Sequence, residues 1–104
     1  MRAVVFTEAG TPVEVLDVEL APPKAGEVKV RIAAAGVCHS DLHIWRGDWP
    51  RTTPCVLGHE GSGVVVEVGD GVTDLREGDP VVLSWVAPCG ECRYCRARAA
   101  RCRR

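Results

Sequence analysis

The sequence predicts a small, mostly β domain folded as an antiparallel barrel or sandwich. Residues 27–32 alternate polar and apolar strictly, and several other short apolar runs are parted by Gly and Pro turns. Only one stretch could hold even a helical turn. Alternation at period two sets one face of a strand in water and the other in a core. Short strands between frequent turns are the pattern of sandwiches and small barrels.

Residues 2–6, RAVVF, form the opening strand of this reading. Gly10-Thr11-Pro12 turns the chain into 13–18, which alternates in part, as a half-exposed strand does. Pro22-Pro23-Lys24-Ala25-Gly26 is a rigid bend before the clearest strand, 27–32, which Gly36 closes. Ser40 or Asp41 is placed to cap a helical turn through Leu42, His43 and Trp45. The prolines of 48–54 disfavour helix and sheet alike, so that segment is a loop. Gly61-Ser62-Gly63 leads into a strand at 64–68, Gly69-Asp70-Gly71 turns, and 74–79 is a polar connector. A last strand at 80–83 precedes a lobe rich in cysteine. No internal repeat or interdomain linker interrupts the chain, so residues 1–104 are expected to form one domain with the lobe at 88–102.

At 104 residues the chain has room for a modest core and is short for an enzyme with a nucleotide cofactor. Its 46% hydrophobic and 26% charged residues are ordinary for a soluble globular protein. No apolar run could span a bilayer, and the start, MRAVVFTEAG, lacks the apolar core of a secretory signal, so a cytoplasmic address without membrane contact is expected. The net charge of −1 hides an asymmetry: residues 1–92 carry 7 Lys+Arg against 14 Asp+Glu, and 93–104 carry six Arg and no acid. A basic end can serve as a nucleic-acid arm. With only Tyr94 to stack on bases, a solvated segment is the expected reading and nucleic acid is not an expected partner.

The strongest motif is Cys89-x-x-Cys92-x-x-Cys95 followed by Cys102. Four thiolates close a tetrahedral shell around zinc with no position left for substrate, which makes such a site structural. A redox CxxC, two disulfides and free thiols are the rival readings; regular spacing and the absence of a secretory signal favour metal. Arg93, Arg96 and Arg98 would offset the negative charge of a zinc tetrathiolate. A second constellation runs from Gly36 to Gly63, with a thiol at Cys38, an imidazole at His59, Glu60 beside it, and His39-Ser40-Asp41-x-His43. Thiolate and imidazole suit zinc, and Asp41 and Glu60 are available to orient the ring, so this stretch reads as half of a catalytic zinc site.

GVCHSDLH, GHEGSGVV, GDGVTDLREGDPVV and the Cys89 lobe, in that order, resemble the zinc-dependent alcohol dehydrogenases of the medium-chain dehydrogenase/reductase superfamily. The likeness covers essentially the whole chain and implies the N-terminal GroES-like catalytic domain, a partly open β-barrel. A Rossmann domain binding NAD(P) follows it in the family. On this likeness Cys38 and His59 bind the catalytic zinc, Glu60 sits just behind it, and Asp41 holds His59. Ser40 takes the alcohol proton, His43 passes it towards solvent, and His39 lies near the cofactor pyrophosphate. Cys89, Cys92, Cys95 and Cys102 hold the structural zinc, while Trp49 and Trp85 line the substrate pocket, where two indoles suit small or flat alcohols and aldehydes. Ordinary core packing is the alternative for both tryptophans. The resemblance also implies a homodimer or homotetramer for the full-length protein.

The sequence departs from the family in two places. It holds no G-x-G-x-x-G in a βαβ setting, so the Rossmann domain is absent from this chain, and the family's third protein ligand to the catalytic zinc is expected beyond Arg104. The chain is therefore expected to be a truncated fragment that turns over no alcohol by itself. Between Cys95 and Cys102 lie six residues where the family usually has seven. The competing function is a stand-alone zinc module whose Arg-rich end contacts nucleic acid or a protein. A zinc-free, quinone-reductase-like relative fits less well, because the ligand residues are retained.

Overall fold

The computed structural model describes residues 1–85 and 88–97. In chain order they form β1 (Arg2–Phe6), β2 (Glu14–Asp17), β3 (Val28–Ala35), α1 (His39–Arg46), β4 (Cys55–Val56), β5 (Gly61–Val68), β6 (Pro80–Val82) and α2 (Arg93–Arg96). The strands make two three-stranded antiparallel sheets, ordered β2-β1-β4 and β3-β5-β6. Among the described residues neither sheet closes on itself. The mostly β, partly open architecture expected from the sequence is what the chain adopts.

Strands β1, β2 and β6 fall where the apolar runs place them. β5 starts three residues earlier than the Val64–Val68 run suggests, because the backbone of Gly61-Ser62-Gly63 already pairs with the end of β3. β4 has no signal of its own. It is two residues long and is strand only because Val56 and Cys55 pair with Val5 and Phe6 of β1.

Strand β3 differs from its strictly alternating sequence. Val28, Lys29 and Val30 are all half-buried, whereas Arg31 and Ile32 are both exposed. Its register against β5 shifts between Lys29 and Val30 and again between Ile32 and Ala34. Each irregularity adds local twist and re-aims the side chains, so one face no longer stays inward along the strand. Where the register holds, Lys29 and Glu67 are direct cross-strand partners and form an ion pair.

The core is small: Ala3, Val5 and Phe6 of β1, Ile44 of α1 and Val65 of β5. Helix α1 is two turns long rather than one. Its N-cap is Cys38, not Ser40 or Asp41, and Asp41 sits at the third helical position with its Oδ2 accepting the Cys38 amide at 3.1 Å. Gly47 ends the helix with φ of 83°, a conformation glycine adopts without a steric penalty. Trp45 anchors the helix to the β1–β2 turn: its Nε1 donates to Thr11 O at 2.6 Å, and its carbonyl accepts from the Gly10 amide at 2.8 Å.

The turns at the far end of the second sheet lock together through backbone. Gly69 N–H donates to Glu27 O and Gly26 N–H to Asp70 O, each at 2.8 Å. A methyl at Gly69 would collide with the carbonyl of Lys24. Gly69→Ala is therefore expected to destabilise the fold by about 1–3 kcal/mol, as overpacking against an unyielding backbone does. A urea midpoint equal to that of wild type would show that this turn gives way freely.

Candidate metal and catalytic site

The fold brings the Cys38 and His59 segments together although they are far apart in sequence. Cys38 stands at the N-terminus of α1, just after β3, and His59-Glu60 lead directly into β5. The neighbouring strand ends hold that second segment in place: Gly36 N–H donates to Glu60 O at 2.7 Å, and Leu83 N–H donates to Gly61 O at 2.8 Å. One ligand atom each from Cys38, His59 and Glu60 then lies within 4.8 Å of the others. A soft thiolate, an imidazole and a carboxylate at that spacing suit zinc, and three protein ligands leave a fourth position open.

Asp41 ties this cluster to the helix. One carboxylate oxygen accepts the Cys38 amide, and the other lies 3.7 Å from His59 Nδ1, an electrostatic contact longer than a hydrogen bond. Both side chains are largely buried. Ser40 Oγ is 3.5 Å from His59 Nε2, and both residues line the same cleft. Trp85 meets His59 edge to face, with ring centroids 4.2 Å apart.

An open cleft of about 750 Å³ is lined by Cys38, Ser40, His59, Glu60, Trp49 and Trp85 together with the end of β6. Both indoles are about half exposed. On the outer side of α1, His39 Nδ1 lies 3.2 Å from His43 Nε2, and His43 Nδ1 lies 2.9 Å from Asp48 Oδ2. Trp49 stacks on the His43 ring at 4.9 Å and 27°. Asp48 is the group that the sequence reading passed over. Its signal was its place one residue beyond the Gly47 helix stop, where a returning chain faces the last turn.

In the cysteine lobe, Cys89 Sγ is 3.9 Å and Cys92 Sγ 3.6 Å from Cys95 Sγ. Four sulfurs held about 2.3 Å from a zinc are about 3.8 Å apart along each tetrahedral edge, so the three thiols fit such a metal as they stand. The Cys92 amide donates to Cys89 Sγ at 3.3 Å, a contact that stabilises a thiolate. The single turn α2 presents Cys95 inward, and the Arg93 guanidinium stacks over the Tyr94 ring at 4.6 Å. Cys102, the rest of the 88–102 lobe and the Arg-rich end from residue 98 lie outside the described residues.

The chain is thus a partly open β domain with a mixed Cys/His/Glu cluster facing a cleft and a separate three-thiol cluster, two donor sets that could each hold a metal ion. The chain belongs to the alcohol dehydrogenase GroES-like domain family, whose model matches residues 24–103. It is 50% identical over 97 residues to the S-(hydroxymethyl)glutathione dehydrogenase of Escherichia coli, a match covering 92% of this chain and 26% of that protein. Two solved structures are similar as well. Benzyl alcohol dehydrogenase from Acinetobacter calcoaceticus superposes with a TM-score of 0.82 at 40% identity, over 92% of this chain and 26% of that one. Zinc dependent alcohol dehydrogenase 2 from Streptococcus pneumonia does so with 0.81 at 39%, over 93% and 28%. The chain thus spans about a quarter of the length of the curated relatives it matches. Among the described residues no helix is long and apolar enough to cross a membrane.

Proposed function

We propose that this chain supplies the metal-binding part of a zinc-dependent, NAD(P)-linked alcohol dehydrogenase that interconverts a small primary or aromatic alcohol and its aldehyde. The observation that carries this reading is the meeting of Cys38, His59 and Glu60 within 4.8 Å on the wall of a cleft shared with Ser40 and two indoles. Two of the similar proteins support the substrate class, since benzyl alcohol and S-(hydroxymethyl)glutathione both carry their hydroxyl on a CH₂ carbon.

Cys38, His59 and Glu60 would hold the catalytic zinc, and Cys89, Cys92 and Cys95, with Cys102, the structural one. When bound, zinc supplies a Lewis acid that eases loss of the alcohol proton, and a nicotinamide supplies the hydride acceptor. Asp41 fixes the His59 ring through its two-sided contact with helix and imidazole. Ser40, beside that ring and in the cleft, would accept the hydroxyl proton while giving up its own along a relay towards His43. His43, one turn further along α1 and partly exposed, delivers it to water. Trp49 and Trp85 flank the cleft and favour a flat or small substrate. His39, exposed at the start of α1, would meet an anionic group of the cofactor.

The test has two parts. The 104-residue chain is expected to bind about two zinc equivalents, one per cluster, and to reduce no NAD(P)⁺ when given alcohol. A polypeptide carrying these residues with a nucleotide-binding domain is expected to form NAD(P)H from a primary alcohol. There Ser40→Ala should lower kcat by about 10²–10⁴-fold at unchanged zinc content. In that longer polypeptide, full zinc loading without any alcohol-dependent NAD(P)H would end this reading.

A further inference from the structure

The loop that follows α1 closes back onto a single side chain. Asp48 and Trp49 both aim their amides at the carbonyl of His43, at 2.9 and 3.4 Å. Asp48 sets Oδ2 2.9 Å from His43 Nδ1, and Trp49 lays its indole against the face of the same ring. The remaining ring nitrogen, Nε2, points at His39 Nδ1, 3.2 Å away. A half-exposed carboxylate beside an imidazole is often an incidental surface pair. Here backbone, carboxylate and indole all converge on one residue, the latter two on its ring.

We propose that Asp48 is a positioning residue that fixes the tautomer and the direction of His43. An ionised carboxylate has only acceptors, so the nitrogen facing it must carry the hydrogen. In the neutral ring Nδ1 is then the donor to Asp48, and Nε2 keeps its lone pair. That lone pair takes a hydrogen bond from His39 Nδ1–H, so one carboxylate gives the His39–His43 pair a fixed polarity. A proton arriving at His43 enters at Nε2, and the ring stays anchored through Nδ1. Only this use of Nε2 rests on the dehydrogenase reading; the tautomer itself is a property of the chain whatever reaction it serves.

The experiment is ¹⁵N NMR of the histidine rings in the 104-residue chain, at about pH 8.5 where an ordinary imidazole is neutral. In wild type, His43 Nδ1 is expected to resonate as a protonated nitrogen and Nε2 as a bare one. Asp48→Ala should move the population towards Nε2–H, the form favoured by an imidazole free in water. Asp48→Asn, which retains an acceptor oxygen without the charge, should recover part of the wild-type pattern. The His59 ring signals should not move in either variant, since a general loss of structure would shift them too. A wild-type His43 protonated at Nε2 would overturn the proposal without recourse to any variant, as would an Asp48→Ala spectrum identical to wild type. Neither outcome depends on zinc or alcohol turnover, so this inference and the enzymatic reading can fail separately.

Discussion

Cys89→Ser is expected to weaken zinc binding at the cysteine lobe and to loosen the segment from Cys89 to Arg96. Structural zinc contributes roughly 10–16 kcal/mol of apparent binding free energy in small zinc peptides, spread over four ligands. Losing one thiolate's share, about 3–4 kcal/mol, corresponds to a weakening of roughly 10²–10³-fold in Kd. The effect on folding is confined to the lobe. The backbone hydrogen bonds of Arg96 and Ala97 run within the turn of α2, back to Cys92 and Arg93, and none of its side chains is fully buried. The half-buried thiols of Cys89 and Cys92 both lie within 4 Å of Cys95 Sγ, a spacing that a shared zinc would stabilise. Metal analysis alongside cobalt absorption would show it: thiolate-to-metal bands fall in Cys89→Ser, while the Cys38 site keeps its own. An unchanged zinc affinity together with unchanged thiolate-to-metal bands would mean that Cys89 is not a ligand.

Phe6→Ala is expected to remove about 3–5 kcal/mol of stability, the cost of emptying an aromatic site in a core. Phe6 is 3% exposed, at the end of the central strand of the β2-β1-β4 sheet, with Cys55 as its cross-strand partner. The buried set around it is very small, so few neighbours can move in to fill the space. Against a typical domain stability of about 5–15 kcal/mol, a loss of that size leaves a marginal fold. Urea denaturation followed by tryptophan fluorescence reads the change. A loss under about 1 kcal/mol would mean that the first sheet is not the core that its burial makes it.

Much of the architecture was legible because strands announce themselves in short apolar runs. β1, β2 and β6 needed no more than that. β3 announced itself as a strand, but its clean alternation promised a single inward face that two register shifts take away. β4 was illegible in principle, since two residues carry no period and only the partner strand makes them extended. The helix stop at Gly47 was there to be read, whereas the cap was misplaced. Ser40 and Asp41 are favoured cap residues, yet the chain leaves β3 so late that Cys38 takes the cap position and Asp41 serves it from inside the helix.

The sequence alone determined what lies within a few residues: which atoms can bind a metal, and that three cysteines spaced three apart can reach one ion on a tight loop. Backbone geometry over so short a span leaves little freedom, so spacing and chemistry suffice. Tertiary structure decided which distant groups meet. Cys38 and His59 are twenty-one positions apart, and β3–β5 pairing closes the gap between them. The same holds for the cleft under Trp49 and Trp85, and for the carboxylate of Asp48 turned towards His43. No local preference encodes such meetings; they follow from how the strands register and where each one ends.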